Sequence, residues 1–326
     1  MSRQLKVLSI DGGGIRGIVP ALVLAEIERR TGRRIAEVFD IIAGTSTGGV
    51  LALGLVKPGA GGGPEFTAAD LAALYEEQSA RIFKRTLGRR LRSVGGALDQ
   101  KYGSAGIEAV LDEHFRDTRL KDALTDVLIT SYEIERRLPF FFRSSRAKLD
   151  PAYDFPMRLV ARATSAAPTY FEPLRLAADG GTDYYTLVDG GVFANNPAMC
   201  GFAEIRKTVP GADLLVVSLG TGELTRRLPY ESAKDWGLLE WAQPLLSVVF
   251  DGVSDTTDYE LTQILAPDRY YRFQTTLDEG SDDIDDVSAT NICALRLQGE
   301  RLIASASARL DALVERLRAD QRSGEL

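Results

Sequence analysis

Hydrophobic and polar positions follow two different patterns along the first 60 residues, and the patterns predict different elements. Residues 5–10 are a short apolar run with the pattern of a buried strand, and they lead into a glycine-rich turn. Residues 15–30 then place apolar side chains at helical spacing. A second apolar run, 39–43, leads into another glycine-rich turn, and 50–56 has the composition of a buried helix. This repeated order of strand, turn and helix favours a parallel sheet covered by helices.

The rest of the chain continues to alternate between strand-like and helix-like segments. It contains no internal repeat and no composition shift typical of a linker, so we expect one domain over 1–326. The predicted strands cover 126–134, 138–143, 184–188 and 213–219, and the predicted helices cover 67–84, 104–115, 157–165 and about 291–320.

The composition is typical of a globular protein and excludes several classes of function. The 326 residues carry 39 Lys plus Arg against 46 Asp plus Glu, and this acidic balance argues against a nucleic-acid-binding protein. The two cysteines, Cys200 and Cys293, are far apart, so neither a disulfide framework nor a cysteine zinc site is expected. The single histidine, His114, excludes zinc enzymes of the HExxH class.

No targeting segment or membrane span is visible in the sequence. The N-terminus has no apolar stretch of the kind found in signal peptides. The longest uncharged stretch, 41–56, is too short and too polar to cross a bilayer. We therefore expect a cytoplasmic protein that reaches any membrane from outside.

The second glycine-rich turn fits the pattern G-x-S-x-G, with Ser46 between Gly44 and Gly48. Between a strand and a helix this is the pattern of a nucleophile elbow, in which small flanking residues let the chain bend so that the serine hydroxyl stands clear. A plain glycine turn below a helix N-terminus is the alternative, since glycine and serine are common in loops. The predicted strand and helix on either side favour the nucleophile.

A serine nucleophile needs a base, and the single histidine is poorly placed to be one. In α/β hydrolases the histidine follows the acid in the chain, whereas His114 is the last histidine and ends a predicted amphipathic helix. Asp189 is the best carboxylate candidate, because it ends an apolar strand and precedes Gly190 and Gly191. From position alone, a turn aspartate that hydrogen-bonds its own loop is an equally good interpretation.

The first glycine-rich turn has two competing interpretations. Gly12, Gly14 and Gly17 match the G-x-G-x-x-G of dinucleotide sites, but the next strand ends in the serine turn and not in the acidic residue that binds a ribose. The alternative is an oxyanion hole, in which backbone N–H groups point at developing negative charge and each lowers the barrier by about 3 kcal/mol. The missing acidic residue favours the oxyanion hole.

Taken together, these motifs resemble those of the patatin-like phospholipase family. The resemblance covers about residues 5–222, the catalytic core, and leaves a mostly helical part at about 223–326. It implies an α/β fold, a three-layer α/β/α sandwich with a mostly parallel central sheet, distantly like an α/β hydrolase. Four blocks carry it in the expected order, namely 7–17, 39–49, 163–171 and 188–197.

The resemblance also implies an activity and the residues that perform it. The activity would be that of a calcium-independent lipid acyl hydrolase of the phospholipase A type, which releases fatty acids from glycerophospholipids or other acyl lipids without a metal or cofactor. By motif position, Ser46 would be the nucleophile and Asp189 the general base. Backbone N–H groups of Gly12, Gly13 and Gly14 would form the oxyanion hole. The supporting motif residues would be Arg16, Gly17, Gly44, Gly48, Gly190 and Gly191.

Two charged segments lie outside the motifs. The acidic segment 278–286 lacks the spacing of an EF-hand calcium loop, so a solvated acidic loop is the better interpretation. A basic segment interleaved with apolar residues fits either transient, peripheral contact with anionic lipid headgroups or a solvated helix and loop. Its basic residues are Arg81, Lys84, Arg85, Arg89, Arg90 and Arg92.

Two alternative functions remain open at this point. The first is a general carboxylesterase or acyltransferase that uses the same Ser-Asp dyad. The second, suggested by bacterial relatives of similar organisation, is a membrane-degrading antiviral effector that a cyclic nucleotide activates. A homo-oligomer is also left open.

Overall fold

The computed structural model describes residues 3–83, 101–177 and 183–319, and these residues contain one eight-stranded mixed sheet. The strands are β1 (Leu5–Ile10), β2 (Ile41–Gly44), β3 (Asp126–Glu133), β4 (Leu138–Arg143), β5 (Leu174–Ala177), β6 (Tyr184–Asp189), β7 (Leu214–Leu219) and β8 (Tyr270–Phe273). Their order is β5-β6-β3-β2-β1-β7-β8, and β4 pairs with β3 outside this path. From β3 to β8 all neighbours are parallel, whereas β4, β5 and β6 are joined to the sheet by antiparallel pairs.

The C-terminal ends of β2 and β6 meet along one edge of β3. The opposite edge of β3 is occupied by β4 over residues 128–133. β2 and β6 share the other edge of β3. β2 pairs with the first part of that edge and ends with Gly44 opposite Ile129, and β6 pairs with the last part and ends with Asp189 opposite Ser131. The two strands therefore approach end to end, which brings the turn after Gly44 next to Asp189.

Helices cover both faces of the sheet. Leu8 and Ile10 lie on one face of β1 in the larger hydrophobic core, and Val7 on the other face packs in a smaller core with Ala198 and Leu261. The result is the three-layer α/β/α sandwich that was expected. The helices are α1 (Ile18–Thr31), α2 (Ile35–Val38), α3 (Thr47–Val56), α4 (Ala68–Ile82), α5 (Ala105–Phe115), α6 (Ser144–Leu149), α7 (Met157–Thr164), α8 (Gly191–Ala194), α9 (Ala198–Thr208), α10 (Tyr230–Ala233), α11 (Leu238–Ile264), α12 (Ala289–Ser305) and α13 (Ser307–Ala319).

The part after residue 222 differs in two ways from its predicted helical pattern. The four-residue strand β8 pairs with β7 and extends the sheet, and a segment this short has no readable periodicity. The single helix predicted at about 291–320 is two helices, α12 and α13, which are separated at Ala306. Within the described part of the chain, each helix is too short or too polar to span a membrane.

Candidate active site

Ser46 occupies the sharp turn between β2 and α3. Its backbone has φ 53° and ψ −122°, a strained conformation for a residue with a side chain, and it directly precedes the first residue of α3. The flanking positions must be glycine because backbone atoms approach them closely. A Cβ on Gly44 would lie 2.5 Å from the carbonyl oxygen of Gly48, and a Cβ on Gly48 would overlap the carbonyl oxygen of Ile10. A strained serine on a strand-to-helix turn has the backbone geometry of a nucleophile elbow.

Asp189 ends β6 in a fully buried position. Its Oδ1 accepts a 2.8 Å hydrogen bond from the backbone N–H of Gly191. Burial raises the pKa of this carboxyl to about 7, although hydrogen bonding by the Ser46 hydroxyl and the Gly191 N–H acts in the opposite direction. Its Oδ2 makes no hydrogen bond of normal geometry to the described residues, so one carboxyl oxygen remains available to accept a proton. A carboxyl that titrates near neutral pH beside a serine hydroxyl can act as its base.

The end of α7 and the loop that follows it accept hydrogen bonds from the backbone N–H groups of both Ser46 and Asp189. The N–H of Ser46 donates to Thr164 Oγ1 at 2.8 Å, and the N–H of Asp189 donates to the carbonyl oxygen of Ala166 at 3.0 Å. Both acceptors are buried. The sequence assigned no role to block 163–171 of the family resemblance. In the structure this block positions both Ser46 and Asp189.

The first glycine-rich turn lies against the same site and is held from several directions. The N–H of Gly12 donates to the carbonyl oxygen of Asn195 at 3.0 Å, and its own carbonyl accepts a 2.7 Å hydrogen bond from Thr221 Oγ1. Gly14 has φ 59°, and a Cβ there would overlap the carbonyl oxygen of Ile284. Gly13 and Gly14 border the same cavity as Ser46, whereas the N–H of Gly12 is already bound.

Asp11, the residue before these glycines, forms a buried ion pair that sequence reasoning missed. Its Oδ2 lies 2.7 Å from Nη2 of Arg272 on β8, and Nη1 of Arg272 donates to Ser218 Oγ at 2.8 Å. Burial raises the pKa of Asp11 to about 6 despite the neighbouring guanidinium. The pair attaches the beginning of the glycine turn to the edge strand β8, which is separated from β1 only by β7.

The remaining motif residues support the turns through contact. Arg16 is buried, and its Nε donates to the carbonyl oxygen of Gly13 at 3.3 Å. A Cβ on Gly17 or on Gly190 would overlap a threonine hydroxyl oxygen on a neighbouring element, and a Cβ on Gly191 would lie 3.2 Å from Oδ1 of Asp189. The motif glycines therefore allow the segments around Ser46 and Asp189 to pack closely.

A cavity, which we call the main cavity, extends from Ser46 and Asp189. Its walls beyond these two residues are almost entirely apolar, with side chains from α3, α4, α5 and the segment after α7. They include Val50, Phe66, Leu71, Leu74, Ile82, Phe83, Ile107, Val110, Leu111, Tyr170, Phe171 and Phe250. Such a cavity fits a long apolar group with a reactive centre at one end.

His114 is half-buried and also borders the main cavity. It lies in the last turn of α5, as predicted, where its ring packs edge-on against Phe66 with centroids 6.2 Å apart. Burial lowers its pKa, and among the described residues its buried Nε2 has no hydrogen-bond partner. The neighbour that acts on the Asp189 carboxyl is therefore the Ser46 hydroxyl and not this imidazole.

The acidic segment 278–286 is not the solvated loop that its composition suggested. Asp282 accepts hydrogen bonds from two backbone N–H groups, and the buried Asp285 accepts one from the Tyr102 hydroxyl at 2.5 Å and pairs with Lys101. Composition predicted solvation because it cannot show which carboxylates find donors. No three His, Cys, Asp or Glu side chains within the described ranges are grouped so that they could hold a metal ion.

Of the basic segment, only Arg81 falls within the described residues. It pairs with Glu113 at 3.0 Å and donates to Gln78 at 2.5 Å. The other predicted lipid contacts, Lys84, Arg85, Arg89, Arg90 and Arg92, lie outside the described residues.

Comparison with known proteins gives consistent matches. A family described as "Patatin-like phospholipase" matches residues 8–199. Patatin-like protein 4 of Arabidopsis thaliana is 30% identical, and the match covers 91% of this chain and 82% of that protein. Patatin-like protein 2 of Oryza sativa subsp. indica is 32% identical, with 95% and 86% covered. A Solanum tuberosum protein named "Probable inactive patatin-3-Kuras 1" is 33% identical, with 93% and 87% covered.

One of these relatives carries the word "inactive" in its name, so the activity of a member depends on which residues it has. The matched region contains every candidate residue of the two glycine-rich turns and of the Asp189 turn. This chain belongs to the patatin-like phospholipase family.

Proposed function

We propose that this protein is a calcium-independent lipid acyl hydrolase of the phospholipase A type, which releases fatty acids from glycerophospholipids. Its family supports hydrolysis of acyl lipids in general. The observation that carries the finer proposal is the position of the Ser46 hydroxyl beside the buried carboxyl of Asp189 at the wall of the apolar main cavity.

Ser46 is the nucleophile in this proposal, and Asp189 is the general base. Ionised Asp189 accepts the hydroxyl proton as Ser46 Oγ attacks the ester carbonyl carbon. When the tetrahedral intermediate collapses, the leaving alcohol takes this proton and departs as the lysophospholipid. Asp189 then accepts a proton from water, whose oxygen attacks the acyl-serine, and the proton returns to Ser46 as the fatty acid leaves.

The electrostatic environment supports this role for Asp189. A pKa of about 7 leaves a large ionised fraction at neutral pH, while the carboxylate is a much stronger base than an exposed aspartate. The orphan Oδ2 has capacity for the transferred proton.

The developing negative charge requires donors on the other side of the carbonyl. We assign this role to the backbone N–H groups of Gly13 and Gly14, because both residues border the main cavity next to Ser46. The N–H of Gly12 is already bound to Asn195, so Gly12 contributes by holding the turn in place.

The main cavity suits the acyl chain. Each methylene transferred from water to an apolar environment contributes about 0.8 kcal/mol. The apolar walls of the main cavity therefore favour esters of long-chain acids over esters of short acids.

The test is fatty-acid release from mixed phospholipid vesicles in the presence of a chelator. We expect wild type to be active and the Ser46→Ala and Asp189→Ala variants to lose about three orders of magnitude or more in rate. Ser165→Ala is the matched control and should keep nearly full activity, because Ser165 lines the same cavity while the contacts to Ser46 and Asp189 come from its neighbours Thr164 and Ala166.

Two outcomes would contradict the proposal. Activity that survives in Ser46→Ala would remove Ser46 from the mechanism. A wild type that is inert on vesicles but hydrolyses a short soluble ester through Ser46 would be a general carboxylesterase, and the phospholipase assignment would be wrong.

A further inference from the structure

A second cavity adjoins the main cavity. Tyr170, Phe250 and Ile284 line both cavities. Unlike the main cavity, the second cavity contains charged side chains of both signs. These are Arg16, Arg226, Asp251, Asp282 and Asp283.

Three of these five charged side chains, Arg226, Asp282 and Asp283, already have ion-pair or hydrogen-bond partners. Asp282 accepts hydrogen bonds from the backbone N–H groups of Thr225 at 3.1 Å and Arg226 at 2.8 Å. The guanidinium of Arg226 lies 3.0 Å from an oxygen of Asp283 and 3.8 Å from one of Asp282. This cluster forms part of the wall and leaves Arg16 and Asp251 as the groups that can bind a ligand.

Arg16 has a buried donor without an acceptor. The residue is 5% exposed, its Nε is bound to Gly13, and its buried Nη1 has no hydrogen-bond partner among the described residues. A buried guanidinium N–H that lacks an acceptor is costly, and a phosphate oxygen is an acceptor well matched to it.

Asp251 provides an uncompensated negative charge in the same cavity. It is half-buried on α11 and forms no ion pair or hydrogen bond with the residues that the structure describes. Burial raises its pKa and the charge of Arg16 lowers it, which indicates that the two groups act on each other without direct contact. A cavity lined by a guanidinium with one unpaired N–H group and by an unpaired carboxylate suits a ligand that carries a negative and a positive group.

We propose that the second cavity binds the zwitterionic headgroup of a phospholipid substrate, with its phosphate at Arg16 and its ammonium group at Asp251. This inference rests on the proposed function, since it places the headgroup beside an ester bond at Ser46. The aromatic ring of Phe250 also lines this cavity, and the face of an aromatic ring attracts an ammonium group. A headgroup with a phosphate but no cation leaves Asp251 unpaired, so it binds less well.

The rim of this cavity is suited to a lipid that enters from a membrane. Val248 borders the cavity and Leu245 precedes it by three residues on α11, and both are largely exposed. Exposed apolar side chains at the mouth of a charged cavity can contact acyl chains while the headgroup moves inward.

The test uses short-chain diacyl lipids as monomers in solution, which removes effects of membrane binding. The three substrates carry the same acyl chains and differ only in the headgroup. One has a phosphocholine headgroup, one has a phosphoglycerol headgroup, and one has no phosphate. We expect wild type to prefer the phosphocholine lipid over the phosphoglycerol lipid by about tenfold in kcat/KM, and Asp251→Asn to remove this preference. Tenfold corresponds to about 1.4 kcal/mol.

Glu260→Gln is the matched control, because Glu260 is exposed on the same helix and outside the second cavity. It should keep the wild-type preference. A preference that is equal in wild type and Asp251→Asn, or a wild type that favours the lipid without phosphate, would overturn the inference.

A headgroup-free nitrophenyl ester separates this inference from the proposed function. If Ser46→Ala abolishes its hydrolysis while Asp251→Asn leaves the headgroup preference intact, only the headgroup site is wrong. If Ser46→Ala still hydrolyses this ester, the proposed mechanism is wrong as well. Folding of Asp251→Asn is checked by circular dichroism and by its urea-unfolding midpoint, both of which should match those of wild type.

Discussion

Replacement of Asp189 by asparagine should make the folded protein more stable at alkaline pH while it abolishes activity. The carboxyl is fully buried, and its pKa rises from 3.8 to about 7 because the surroundings solvate the charge poorly. Ionisation is therefore more costly in the folded than in the unfolded chain. Asparagine has nearly the same shape, cannot ionise, and can donate a hydrogen bond towards the Ser46 hydroxyl.

The sign and size of this effect follow from linkage. Below pH 3.8 the group is protonated in both states and has no effect on stability. As the pH rises from 3.8 to about 7 the unfolded chain loses the proton first, so stability decreases, and above this range the cost is constant. The cost is about 2 kcal/mol at pH 5 and about 4 kcal/mol at pH 8.

The assay is denaturant unfolding of wild type and Asp189→Asn at pH 5 and at pH 8. The free-energy difference between the two proteins should increase by about 2 kcal/mol in favour of the variant between these pH values. Other titrating groups, such as Asp11, are present in both proteins and cancel to a first approximation. Ser165→Ala serves as control, since it removes no ionisable group at the same cavity and should show no such pH dependence. A difference that is the same at both pH values would refute the reasoning.

Three further predictions concern the same site. Hydrolysis of a soluble ester should increase with pH through about 7 as Asp189 ionises, and a kcat/KM that is flat from pH 5 to 9 would exclude it as the base. Gly48→Ala should destabilise the protein by about 3 kcal/mol in urea unfolding or prevent folding, because its Cβ would overlap a carbonyl oxygen of β1. Gly61→Ala is the control and should be neutral, because a Cβ at Gly61 meets no atom within 4 Å. Asp11→Ala should cost about 3 kcal/mol of unfolding free energy, because it leaves Arg272 buried without its partner, and a loss below about 1 kcal/mol would contradict this account.

The positions of Ser46 and Asp189 could be predicted because their constraints are local. The chain turns so sharply from β2 into α3 that a Cβ on Gly44 or Gly48 would meet backbone atoms, so both positions require glycine. This requirement is visible in the sequence as the G-x-S-x-G spacing. Asp189 follows an apolar strand and precedes two glycines that also permit close packing. The parallel sheet covered by helices was predictable for a similar reason, since short apolar runs that lead into glycine-rich turns indicate buried parallel strands.

The groups that hold these residues could not be predicted, because their partners are distant in the chain. Arg272 pairs with Asp11 across 261 positions, and hydropathy does not indicate which buried acid meets which buried base. The acidic segment 278–286 shows the same limit, since its composition is that of a solvated loop while Asp285 is buried against Tyr102. Sequence spacing indicates local turns, whereas long-range polar pairs depend on how the layers pack.

The proposed oxyanion hole shows why these distant contacts matter for function. A glycine-rich turn has no side chains with which to fix its own conformation, yet its N–H groups stabilise a transition state only if they are oriented in advance. That orientation has to be imposed by other segments, and here Thr221 binds the carbonyl of Gly12 while Ile284 binds the N–H of Ile15. Both residues lie beyond position 199, where the family match ends. The motifs therefore identify the groups that would meet the ester, and the part of the chain after them supplies the contacts that keep those groups in place.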